Sequence, residues 1–204
     1  MQHPFPIFLD LTGRPCVVFG AGPLATEKVE SLVRAGAVVR RVLANPRPDD
    51  LDGAFLAVAA LDNAAQRALL FEAAEQRGVL FNALDDPPHC RFYFPAVHRQ
   101  GALVVALSTS GQCPALAVRL KEKLAELIGP EYSAFLRLAA SIRDRIQRSG
   151  LSFEARRTLW YRIVDAPAIE QLRSGDDAGA EQTIAAILQA ELPSREPAAE
   201  GAAR

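Results

Sequence analysis

The chain has 204 residues, half of them hydrophobic, with 23 Lys and Arg against 24 Asp and Glu and three cysteines. That length holds one large or two small domains around a buried core, and the near-neutral charge argues against a dedicated nucleic-acid binder, which needs a concentrated positive surplus. No apolar run reaches the eighteen or so residues of a membrane span, Met1-Gln2-His3-Pro4 does not lead into a long hydrophobic core, and Cys16, Cys90 and Cys113 are too scattered for a disulfide framework or a fixed metal site; a cytoplasmic protein with reduced thiols and no membrane partner is expected.

In chain order, residues 15–20 read as a first strand, 23–35 as a helix and 37–43 as a second strand. The join between the first two is Gly20-Ala21-Gly22-Pro23-Leu24-Ala25, a Gly-x-Gly-x-x-Ala turn that passes from an apolar strand straight into a helix. Gly20 permits the tight turn, Gly22 lets a pyrophosphate approach the backbone, and Ala25 lets the helix lie close on the strand. The unpaired N–H groups and dipole of the helix N-terminus favour an anion there, so the turn is a candidate dinucleotide site; a ligand-free β-to-α turn is the alternative. Residues 45–53, with Pro46 and Pro48, read as a loop. Strands at 54–60 and 79–84 flank a helix at 63–77 with Leu69, Leu70, Ala73 and Ala74 inward, and a strand at 103–108 follows a polar connection through 97–101. Alternating strands and helices predict a mostly parallel, Rossmann-like α/β sheet.

From Pro114 the period is helical throughout. Leu116, Leu120, Leu124, Leu127 and Ile128 form one stripe, Phe135, Leu138, Ala139, Ile142 and Ile146 a second, and Phe153, Leu159, Trp160, Ile163 and Val164 a third, with a last helix at 180–190. The expected organisation is therefore a Rossmann-like domain over 1–113, a small all-helical domain over 114–192 whose own core is marginal enough to imply a homodimer, and a disordered tail over 193–204.

Two further stretches carry chemistry. Asn82-Ala83-Leu84-Asp85-Asp86-Pro87 stands at the carboxyl end of a parallel strand, the edge where open α/β sheets bind ligands, and a carboxylate such as Asp85 can accept a proton there; Asp-Asp-Pro is equally ordinary turn chemistry. Ser108-Thr109-Ser110-Gly111-Gln112-Cys113-Pro114 places hydroxyls and backbone donors before a helix, suited to an anionic substrate or to plain capping.

These blocks, in this order, resemble the precorrin-2 dehydrogenases of the siroheme synthase N-terminal family over about residues 5–190. The similarity rests on Pro6-Ile7-Phe8-Leu9-Asp10-Leu11, the glycine turn with Lys28, Ala59-Ala60-Leu61-Asp62-Asn63, Asn82-Ala83-Leu84-Asp85-Asp86-Pro87, Phe92-Tyr93-Phe94-Pro95-Ala96, the 108–114 loop, Arg119-Leu120-Lys121-Glu122-Lys123-Leu124, and Phe153-Glu154-Ala155-Arg156-Arg157 with Trp160. The resemblance implies NAD-dependent oxidation of the tetrapyrrole precorrin-2 to sirohydrochlorin, with iron insertion in some members. It places the essential carboxylate on Asp85. NAD contacts fall on Gly20, Ala21, Gly22, Pro23, Leu24, Ala44 and Asn45, and substrate contacts on Asn82, Ser108, Thr109, Ser110 and Arg119. Thr109 occupies the place of a family serine that can be phosphorylated. No fixed metal site is implied.

Two departures stand out. Between Ala44 and Ala54 the family usually carries another helix and an edge strand, so the second crossover is shortened here and leaves the second strand as a bare edge. Arg40 and Arg41 on that strand read as edge guards or, with no acidic residue closing the strand, as contacts for a 2′-phosphate. A family Thr is Leu61. The cations expected to face tetrapyrrole carboxylates are Arg91, His98, Arg99, Arg119 and Lys123. The rival to an enzyme is a non-catalytic nucleotide- or porphyrinoid-binding module on the same fold.

Overall fold

The computed structural model describes residues 4–192, so the expected disordered tail lies outside the described residues. The chain divides into two compact units between Phe94 and Pro95. The first carries β1 (Pro15–Phe19), α1 (Pro23–Arg34), β2 (Val38–Val42), β3 (Leu56–Ala59), α2 (Ala64–Arg77) and β4 (Leu80–Ala83). The strands are all parallel, in the order β2-β1-β3-β4.

Both faces of this sheet are covered, which explains the unbroken apolar character of β1 and β3. Val17, Phe19, Ala57, Ala59 and Phe81 point to one face and pack with Leu70, Ala73 and Ala74 of α2. Cys16, Val18, Leu56 and Val58 point to the other, against Ala25 and Leu32 of α1. Leu69, expected inward, is half-exposed, because the face of α2 centred on residues 70, 73 and 74 leaves it at the margin. The short crossover is more than a loop. Residues Pro48–Leu51 make a turn of 3-10 helix that buries Leu51 completely in the α2 face, so one side chain docks the whole shortened connection. The two edges of the sheet differ. The strand β4 is flanked by the returning chain through an antiparallel bridge between Asn82 and Cys90, whereas β2 has no neighbour beyond it among the described residues.

The second unit opens with an antiparallel hairpin, β5 (Ala96–Gln100) and β6 (Leu103–Leu107), turning at Gly101 with φ +58°. Residues 97–101, expected as a polar connection, are thus mostly strand: alternation of Val97, His98, Arg99 and Gln100 hides a two-stranded ribbon exposed on one face. The division at 94/95 also differs from the expected boundary at 113 by this hairpin, which belongs to the helical unit. The helices are α3 (Pro114–Leu127), α4 (Pro130–Gln147), α5 (Phe153–Val164), α6 (Ala168–Arg173) and α7 (Asp177–Glu191). Their core gathers Phe135, Ile146, Leu159, Ile163, Ala168, Ala180, Ile184 and Leu188. Among the described residues the expected α3 stripe is largely uncovered: Leu116, Leu120 and Leu127 are exposed and Ala117 is the buried residue of that helix.

Candidate functional site

Parallel strands deliver the loops after β1, β2, β3 and β4 to a single edge of the first unit. The connection reverses direction between β1 and β3, the switch point at which open α/β sheets bind ligands. There the two glycines of the turn have different reasons to be glycine. Gly20 sits at φ +123°, donates to Val42 O at 2.8 Å, and a Cβ on it would lie 2.3 Å from Ala60 O; the fold itself demands the residue. Gly22 is extended, and a Cβ on it would meet nothing within 4 Å. No atom of the described residues requires a glycine there. The space belongs to something that approaches the backbone from outside.

Gly22 is the N-cap of α1, no side chain caps that end, and Pro23 occupies the first helical position. Thr26 N bonds to Gly22 O at 3.2 Å, which leaves the N–H groups before it as open donors. Leu24 is exposed while Ala25 is fully buried against the sheet, as close helix packing requires. Ala44 and Asn45 follow β2 at the same edge, exposed, with Asn45 at φ +50°. An uncapped helix start, an open glycine and a switch point together fit the pyrophosphate of a dinucleotide.

The cations of β2 are not loose guards. Arg40 pairs with Asp50 at 3.0 Å, clamping the crossover. Arg41 turns to the glycine turn, its Nε donating to Gly20 O at 2.9 Å and its terminal nitrogen to Gly22 O at 3.3 Å.

After β4 the chain turns sharply, with Asp85 at φ +60° and Asp86 N donating to Ala83 O at 3.2 Å. The two carboxylates diverge. Asp85 is exposed, and among the described residues its side chain has no hydrogen-bond or ion-pair partner. Asp86 is 14% exposed, accepts from Arg67 Nε at 2.8 Å and lies 3.0 Å from His89 Nδ1. Arg67 first, then His89, holds its carboxyl below the usual carboxylate range. Arg67 also donates to Leu61 O at 2.7 Å and Asp62 O at 3.0 Å, so one side chain of α2 ties the loop after β3 to the loop after β4. His89 rests edge-on against Phe71, and the Cys90 thiol, raised in pKa by burial, donates to Ala83 O and Asp86 O. The corner is a braced platform that presents Asp85 outward. Arg67 escaped sequence reading because it stands on the polar side of an amphipathic helix and its partner lies 19 residues away.

Asn82, expected at the substrate, is 5% exposed and faces inward. Its Nδ2 donates to Phe92 O at 2.7 Å and toward Cys90 Sγ at 3.4 Å, pinning the returning segment along β4. Strand alternation turns Asn82 to the α1 face, and its buried Oδ1 has no hydrogen-bond partner among the described residues.

In the second unit, Ser108 and Thr109 spend their hydroxyl oxygens locally, accepting from Ser110 N at 3.1 Å and Cys113 N at 3.3 Å. Ser110 (φ +52°) and Gly111 (φ +76°) give the loop its curl. Arg119 is exposed and bonds Glu122 at 2.8 Å, His98 Nε2 lies 3.0 Å from Ile128 O, and Arg91 of the first unit is held by Glu75. A hollow of about 650 Å³ on α4 and α5 is lined by Gln147, Phe153, Arg156, Arg157, Trp160 and Tyr161, an aromatic and cationic surface that core-stripe reading passed over. Among the described residues, no group of three or more His, Cys, Asp or Glu is placed to hold a metal ion, and no helix is long and apolar enough to cross a membrane.

Comparison with known proteins follows the same division. Residues 7–96 match a family described as putative NAD(P)-binding, and residues 131–188 match the sirohaem synthase dimerisation region. The chain thus carries an NAD(P)-binding family over its first unit and a sirohaem synthase dimerisation region over its helices. Siroheme synthase 1 of Pectobacterium atrosepticum is 42% identical over 178 residues, covering 78% of this chain and 37% of that protein. Siroheme synthase of Photobacterium profundum is 34% identical over 208 residues, covering 92% and 44%. The chain thus spans less than half the length of these siroheme synthases. A solved precorrin-2 dehydrogenase, SirC, shares the fold with a TM-score of 0.71 at 23% identity, covering 89% of this chain and 99% of that one.

Proposed function

We propose that the chain is an NAD-dependent precorrin-2 dehydrogenase of siroheme biosynthesis. The observation that carries this reading is the pair of features at one sheet edge: a glycine turn whose Gly22 is left open by the protein's own atoms, and a braced corner that projects the unpaired carboxylate of Asp85. Gly20, Ala21, Gly22, Pro23 and Leu24 would hold the pyrophosphate, and Ala44 and Asn45 the adenosine ribose. Bound NAD+ supplies the hydride acceptor. Conversion of precorrin-2 to sirohydrochlorin removes one hydride and one proton. Asp85, exposed at the sheet edge, takes the proton from a ring N–H or C–H as the hydride departs and passes it to water.

Substrate recognition is proposed to use the hydroxyl loop Ser108, Thr109 and Ser110 with Arg119, and the guanidinium groups of Arg156 and Arg157, because eight carboxylate arms need dispersed cations. Iron is a substrate of the same reading only if the chain chelates as well as oxidises. A homodimer is supported by the match to a dimerisation region and by Leu116, Leu120 and Leu127 of α3, apolar residues that stand exposed among the described residues. Cytoplasmic location belongs to the same proposal.

The test is anaerobic incubation of precorrin-2 with NAD+ or NADP+, following reduced nicotinamide and the sirohydrochlorin spectrum together. Dinucleotide binding without turnover would move the chain to the binding-module reading, which the shortened crossover favours. Light scattering at micromolar concentration is expected to give a dimer mass.

A further inference from the structure

We propose that Arg41 is a positioning residue of the dinucleotide turn, holding the carbonyls of Gly20 and Gly22 so that the turn's N–H groups face the incoming pyrophosphate; this rests on the dinucleotide reading above. The two hydrogen bonds, 2.9 Å from Nε and 3.3 Å from the terminal nitrogen, reach two carbonyls of one turn with one planar fork. In a trans peptide the N–H points opposite to its C=O. Fixing Gly20 O on Arg41 therefore directs Ala21 N–H to the other side of the turn, away from the guanidinium. Gly22 O also accepts from Thr26 N at 3.2 Å and from the Thr26 hydroxyl at 3.3 Å, so the same clamp reaches the first acceptor of α1.

Three observations make this more than an incidental surface contact. Arg41 has no acidic partner among the described residues, whereas its neighbour Arg40 is paired with Asp50; the uncompensated charge is reserved for the turn. Pro23 removes one N–H from the turn, which leaves fewer donors to meet an anion and makes their orientation matter more. Finally, β2 is an uncovered edge, so the tie from Arg41 is the side-chain link that joins that edge to the glycine turn, beside the single backbone bond from Gly20 N to Val42 O. A cation beside a helix N-terminus reinforces the positive potential already there, which suits a doubly charged pyrophosphate.

The experiment compares the whole chain with Arg41→Met and Arg41→Lys, titrated with NADH and NADPH by fluorescence, alongside thermal unfolding and amide NMR without ligand. Arg41→Met is expected to weaken both dinucleotides by about tenfold or more and alike, to raise KM for NAD+ with kcat within about twofold, and to shift the Gly20, Ala21 and Gly22 amide signals before any ligand is added. Arg41→Lys recovers little, because an ammonium cannot bridge two carbonyls as a fork does, and it decides alone should Arg41→Met lower the folded fraction. Equal affinity in wild type and Arg41→Met overturns the proposal. So does full rescue by Lys, which would make Arg41 a point charge on phosphate, and so does a loss confined to NADPH, which would make it a 2′-phosphate contact. A wild-type chain that binds neither dinucleotide removes the cofactor reading and this proposal together.

Discussion

The glycine turn after β1 and the acidic corner after β4 stand at the same sheet edge and solve opposite problems. The turn leaves groups open: an uncapped helix start and a glycine whose missing Cβ faces empty space. The corner closes nearly everything. Asp86 is held by Arg67 and His89, Cys90 and Asn82 Nδ2 bond backbone carbonyls, and Asp85 is the exposed carboxylate without a partner among the described residues. Unspent hydrogen-bonding capacity in an otherwise satisfied edge is the sign of a ligand, and a satisfied network beside it is the sign of a support.

That contrast is sharpest at the glycines. Gly20→Ala forces a φ of +123° on a residue with a Cβ and drives that atom to 2.3 Å from Ala60 O, so the first unit should lose about 2–4 kcal/mol and unfold at far lower denaturant. At Gly22 an added Cβ meets nothing within 4 Å among the described residues, so Gly22→Asp brings no such clash. It should unfold like the wild type and yet show no measurable NAD+ binding in calorimetry, through bulk and like charge at the pyrophosphate. Equal stability losses at both positions would erase the distinction between a glycine the fold needs and one a ligand needs.

The second break comes between the adjacent carboxylates. Asp85→Ala is expected to lower turnover at saturating precorrin-2 and NAD+ by about a hundredfold or more, with little change in melting temperature or NAD+ affinity. Asp86→Ala should do the reverse in kind: a drop of a few degrees in melting temperature, since Arg67 loses its carboxylate, and a smaller loss of turnover through a loosened platform. Arg67→Ala should behave as Asp86→Ala does, and the double variant should cost no more than either alone. Turnover of Asp85→Ala near wild type would return the corner to ordinary turn chemistry.

How much of this was readable beforehand follows the range of the interactions. The strands and helices of the first unit are set by local period and by punctuation at Gly20, Asn63 and Gly78, so they lie where patterning places them. The glycine turn was legible because its chemistry is contained in six consecutive residues. Leu51, Arg67 and Arg41 were not, because each acts on a partner 19 or more residues away or across the sheet, and polar spacing carries no trace of that. The inward turn of Asn82 was not legible, since a one-residue alternation decides which face of the sheet a strand-end side chain meets. The hairpin over 96–107 was half seen because its first strand is short and amphipathic enough to pass for a connection.

The smallest effect concerns acid. Asp86 is held below its ordinary value of about 3.9 by Arg67 and then His89, so its folded-state pKa is depressed. A depressed carboxylate contributes stability above its unfolded pKa, and that contribution is lost as pH falls through the folded value. The groups facing it are Arg67, which stays charged throughout, and His89, so the acid limb belongs to Asp86 itself. Urea midpoints of wild type and Asp86→Asn should therefore differ while the Asp86 carboxylate is charged and converge as pH falls below about 4. A difference that persists unchanged below about pH 4 would mean that Arg67 and His89 do not hold the Asp86 carboxylate, and the line between the exposed carboxylate and the anchored one would have to be redrawn.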